Sequence, residues 1–181
     1  MIAFDNMLMI GATGRNSGKT ELASLIISKF SKEHSIVGLK VSTYYEGDIA
    51  FHGKNETPLI ENFIILNDTN SQTDKNTARM LNSGAKSVYW LRTQDSFLSE
   101  ASQQFIKQIG NNCLVVCESN SLRKTIKPGL FFMIQNNVGV PVKNTASDVI
   151  EYADNLIPFD GKSLDFDLNR IKIINNKWIL N

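Results

Sequence analysis

The chain has 181 residues, 42% of them hydrophobic and 20% charged, which suits one domain with a sizeable core. Nineteen basic residues against eighteen acidic ones leave a net charge of +1, so nothing in the composition calls for nucleic acid or an anionic membrane as a general partner. No window approaches ~18 consecutive apolar residues, and the opening Met-Ile-Ala-Phe-Asp-Asn lacks the basic region and apolar run of a secretion signal, so a cytoplasmic protein is expected.

In chain order, Met7-Leu8-Met9-Ile10 reads as a buried strand that runs into a glycine-rich loop. After Gly18, Leu22, Leu25, Ile26 and Phe30 recur at steps of three and four, which predicts an amphipathic helix. Residues 36 to 41 read as a second strand. Residues 43 to 74, rich in Asn, Asp, Thr and Gly, form a long connection that carries one strand at Phe63-Ile64-Ile65-Leu66. Lys75 to Ser83 reads as a helix stopped at Gly84, Val88 to Leu91 as a strand, and Phe97 to Ile109 as a helix closed by Gly110.

Cys113 to Cys117 is an apolar strand, in which the two thiols would stand about 13 Å apart, too far to pair; they read as buried and reduced. Leu130 to Ile134 is another strand. A short helix near Ser147 to Ala153, with Asp148 in its first turn, leads to a strand at Leu156-Ile157. Two short runs separated by Asn175-Asn176-Lys177 then predict a terminal hairpin. Strands alternating with helices predict a single-domain α/β fold, a three-layer sandwich around a mostly parallel sheet with a short C-terminal β-hairpin.

The chemistry concentrates at Thr13-Gly14-Arg15-Asn16-Ser17-Gly18-Lys19-Thr20. A nucleoside triphosphate needs many donors converging on closely spaced anionic oxygens. Glycines let backbone amides approach, and the following helix presents its positive end. Here Gly14 and Gly18 free the backbone, Lys19 reaches the β- and γ-phosphates of ATP or GTP, and the Thr20 hydroxyl coordinates Mg²⁺. The pattern G-x-x-x-x-G-K-[ST] asks for glycine where this chain has Thr13.

Glu118, directly after an apolar strand, is the expected metal-side carboxylate and catalytic partner of Lys19. Asp68 and Asp95 follow apolar runs less closely. Lys40, at a strand end, meets a substrate anion or the γ-phosphate, or is a solvated lysine. Arg79 either clamps a phosphate, serves in trans across a dimer, or decorates an exposed helix face. Asp48 and His52 lie in the irregular connection, where a substrate is often read but solvated loop residues are commoner. Arg123, Lys124 and Lys127 form a charge run that either meets an acidic ligand or is solvated. His34 has no assigned role. A guanine-reading N-K-x-D is absent; Asn136 or Asn137 reads a base edge or shapes a turn, so ATP and GTP stay open.

The loop Asn16 to Thr20, the strand ending Gly38-Leu39-Lys40, the stretch Thr77 to Ala85 and the strand ending in Glu118 occur in an order that resembles molybdopterin-guanine dinucleotide biosynthesis protein B, within the SIMIBI class of P-loop proteins. The resemblance spans roughly residues 7 to 157. It departs at Val41 to Tyr45, where a His-rich stretch would stand, and at Ser119, where glycine would follow the glutamate. It implies a Mg²⁺-dependent nucleotide-binding adaptor with weak hydrolase activity, working with a cofactor-biosynthesis enzyme and often as a homodimer. The motif alone serves equally well a small-molecule kinase or an ATP-dependent ligase with an acceptor substrate.

Overall fold

The computed structural model describes residues 1–46, 59–72, 75–136 and 141–181. Asp48, His52 and Asn137 lie outside the described residues. Seven strands, β1 (Ile2–Ala12), β2 (Ile36–Tyr44), β3 (Phe63–Asp68), β4 (Ser87–Gln94), β5 (Leu114–Glu118), β6 (Ile126–Asn136) and β7 (Asn155–Phe159), form one sheet in the order β3-β4-β2-β5-β1-β6-β7. All neighbours run parallel except β3, which is antiparallel to β4 at the edge. The central strands are apolar on both faces: Met7 to Ile10 and Leu114 to Cys117 are buried throughout, as a sheet covered on both sides requires.

Two cores result. On one face, Leu22, Ala23, Ile26 and Ile27 of α1 (Lys19–Phe30) and Met80 of α2 (Asn76–Asn82) pack over Leu8, Ile10, Val116 and Phe132. On the other, Leu98, Ala101 and Phe105 of α3 (Leu98–Ile109) pack over Met7, Met9, Val115 and Phe131. A short helix, α4 (Asn144–Ser147), leads into β7. Asp148 caps the end of α4 instead of opening a helix, because two short turns replace the single helix expected near 147 to 153.

The hairpin β8 (Ile171–Ile174) and β9 (Lys177–Leu180) turns through Asn175 and Asn176, both at positive φ as a two-residue type I′ connection demands. It is built into the α1 face. Trp178 is 1% exposed, meets Phe30 edge-to-face and donates its indole N–H to Asn6 O. Lys29 donates to Leu168 O and Asn169 Oδ1, tying the same arm to α1. Cys113 precedes β5 and is half-buried, Cys117 is fully buried, and both are free thiols. No helix among the described residues is long and apolar enough to cross a membrane.

Candidate functional site

The chain leaves β1 at the carboxyl end of the sheet, between β5 and β6, where connections depart to opposite sides; open α/β sheets collect ligands at such a point. Residues 13 to 18 bridge β1 to α1. Thr13 continues the strand pairing: its N–H donates to Ile134 O (2.9 Å), its hydroxyl accepts from Asn136 N–H (3.1 Å), and its carbonyl accepts from Lys143 N–H (3.0 Å). Its φ is not positive, so the position does not need the glycine of the usual pattern, and threonine fits. Gly14 leaves room for Asn136: a Cβ there would lie 2.5 Å from Asn136 Nδ2, so that side chain would have to give way.

The loop then turns through Asn16 at φ 52° and Gly18 at φ 76°, with the Ser17 hydroxyl donating to Gly14 O at 2.7 Å. Gly18 caps α1 with no side-chain acceptor, and the first helical bond is Leu22 N–H to Gly18 O. Among the described residues, the backbone amides from Gly14 to Thr20 donate to no protein acceptor, although Gly14 and Ser17 are buried. Buried amides are nearly always partnered, and a bare helix start carries a positive end, so this nest suits an anion.

At the helix mouth, Thr20 Oγ1 meets both carboxylate oxygens of Glu118 at 3.0 Å. Glu118 is 6% exposed, and its register against Ile10 and Lys40 puts it in the row that faces α1. Lys19 is partly buried and forms no ion pair among the described residues. Desolvation pulls its ammonium below the ordinary lysine range; Glu118 opposes that shift and Lys40 adds to it. Lys40, whose charge acts on Lys19, stands beside the loop, while Arg15 is exposed at the rim.

Arg79 goes elsewhere. It is exposed on α2, which follows the lower end of β3 and precedes the start of β4, so it sits at the end of the sheet away from the loop. Arg123 is buried with its guanidinium 4.7 Å from the centre of the Tyr152 ring, Lys124 pairs with Asp148 at 2.8 Å, and Lys127 opens β6 at the far end. Asp68 accepts from the Thr77 hydroxyl and Asp95 opens the turn after β4. None of these joins the loop.

Two residues at the loop escaped the sequence reading. Asn120 clamps the exit of β1, accepting Ala12 N–H at 2.8 Å and donating to Ala12 O at 3.0 Å. Lys143, held through its own amide at Thr13, has its ammonium pushed down by burial and by Lys19 and Arg15. Neither belongs to a sequence pattern; only the fold brings them to the loop.

The donor set fits a phosphate chain with Mg²⁺. Unpartnered amides and an unpaired lysine serve the anion, and a hydroxyl with a carboxylate serves a cation that keeps most of its ligands as water and phosphate oxygen. A cage of three or more His, Cys, Asp or Glu is absent among the described residues, which a Mg²⁺ site of this kind does not require. Comparison of the chain with protein families, with curated proteins and with solved structures finds no match.

Proposed function

We propose that this chain is a P-loop nucleotide-binding protein that takes ATP or GTP with Mg²⁺ and hydrolyses it slowly. The observation that carries the reading is the uncapped start of α1, with loop amides and a Lys19 side chain unpartnered among the described residues and the Thr20 hydroxyl on the Glu118 carboxylate, all at the carboxyl end of a mostly parallel sheet. In this reading the amides of residues 14 to 20 hold the phosphates and Lys19 bridges the β- and γ-oxygens. The Thr20 hydroxyl and Glu118 would hold Mg²⁺, and Glu118 would orient the attacking water. When bound, the metal would supply charge neutralisation at the phosphates.

Asn136, beside Gly14 and with its Oδ1 buried and unpartnered, supports a base-reading role. The assignment to cofactor biosynthesis of the molybdopterin type, with a partner enzyme and a homodimer, rests on the family resemblance alone. Isothermal calorimetry with Mg-ATP and Mg-GTP tests the reading: wild type binds at least one, Lys19→Ala binds neither, and a wild type that binds neither defeats it.

A second reading, a small-molecule kinase or ATP-dependent ligase, draws on the row beside the loop. Lys40 aligns with Glu118 on one side and Trp90 on the other, and Ser42, two residues on and on the same face, accepts from the Trp90 indole at 3.0 Å. Such a polar shelf next to a phosphate loop suits an acceptor. Nucleotide consumption that rises only with a small acceptor favours this reading; consumption that stays low until a protein partner is added favours the adaptor.

A further inference from the structure

Two described residues around the β6-to-β7 connection hold Thr13 of the phosphate loop: Asn136 N–H donates to its hydroxyl and Lys143 N–H to its carbonyl. Lys143 is thereby fixed beside the start of the loop, although 130 residues of sequence separate it from Thr13. Its side chain is half-buried and makes no ion pair or hydrogen bond among the described residues. The charges that act on it are those of Lys19 and Arg15, which are of like sign. Three cations gathered around one loop repel one another, and Glu118, the carboxylate that acts on Lys19, is engaged with Thr20 at the opposite side. The same corner holds Asn136 Oδ1, buried with no hydrogen-bond partner among the described residues.

We propose that Lys143 is a ligand-binding residue of this site, contacting the phosphate chain together with Arg15 and Lys19. This rests on the nucleotide-binding reading and extends it: the ligand carries anionic charge along the whole loop, from the helix mouth to Thr13. A nucleoside triphosphate has that reach and a single inorganic phosphate does not. A charge-assisted contact of this kind is worth about tenfold in affinity.

The test compares Lys143→Ala and Lys143→Arg with Lys127→Ala, which removes the same charge from the far end of the sheet. Calorimetric Kd values for Mg-ATP and Mg-GTP are measured from low to moderate salt, with folding checked by thermal melting. Lys143→Ala should weaken the bound nucleotide about tenfold and flatten the salt dependence of Kd, Lys143→Arg should restore both, and Lys127→Ala should match wild type. Lys143→Ala equal to Lys127→Ala overturns the proposal while leaving the loop reading intact, provided Lys19→Ala still loses the ligand. Wild-type protein that binds neither nucleotide overturns both.

Discussion

Lys19 is held in the folded protein at an electrostatic cost. Its ammonium is partly desolvated, stands near Lys40 and lacks an ion pair among the described residues, so the folded state disfavours the charged form. A folded-state pKa below the unfolded one means that the folded state bears the whole penalty at pH values below both. The penalty fades as pH rises through the folded value towards the ordinary lysine range. Lys19→Met, similar in length and apolar, removes it. The ligand-free variant should be as stable as wild type or more so, by up to about 1 kcal/mol, or about 2–4 °C in Tm for a chain of this size.

Nucleotide acts in the opposite sense. Wild type with ligand at ~100 times Kd gains about 2.7 kcal/mol, a shift of roughly 5–11 °C, and the variant should gain nothing. Thermal melting with and without Mg-ATP or Mg-GTP at pH 7.5, about neutral, and at about pH 10 reads both effects, with the ligand-free difference shrinking at the higher pH. A variant that melts several degrees below wild type would make Lys19 a structural partner of Glu118 and refute the reasoning. So would one that keeps the nucleotide shift.

Glu118→Gln keeps an acceptor for the Thr20 hydroxyl, so it should cost only about 1 kcal/mol of stability while hydrolysis and the Mg²⁺ dependence of binding collapse; a magnesium titration of nucleotide affinity checks this. Gly14→Ala places a methyl 2.5 Å from Asn136 Nδ2 and forces that flexible side chain aside, at about 1 kcal/mol in stability but a larger loss of nucleotide affinity; calorimetry and melting together separate the two. Trp178→Ala empties a slot in the α1-face core and should cost about 3–5 kcal/mol by denaturant unfolding, whereas a loss under 1 kcal/mol would mean that the hairpin is only a surface appendage.

Local chemistry carried much of the architecture into the sequence. Apolar runs without alternation marked Met7 to Ile10 and Cys113 to Cys117 as buried strands, the second beginning one residue later in the structure, and the period in Leu22, Leu25, Ile26 and Phe30 marked α1, although Leu25 is exposed. Positions set by long-range pairing were not legible. β1 reaches back to Ile2 and β6 to Ile126 because each pairs with the other across more than a hundred residues, and the polar Asp5, Asn6 and Lys127 hide that pairing. The same holds for the site. Residues 14 to 20 were visible because they are contiguous, and Glu118 because it ends an apolar strand. Arg79 and Lys143 illustrate the opposite case: a helix placed at the lower end of the sheet takes one away, and a carbonyl of Thr13 brings the other in.

The terminal hairpin has a consequence for when the protein becomes competent. The helix that begins at the glycine-rich loop leans on Trp178 at Phe30 and is moored by Lys29 to Leu168, while Lys177 reaches Asp5 at 2.7 Å across 172 positions. A chain emerging from the ribosome can pair β1 with β5 and β6 before this buttress exists. The finished geometry of α1 must wait until residues 171 to 180 have been synthesised and docked, so tags or truncations near them should delay maturation at a distance from the loop itself.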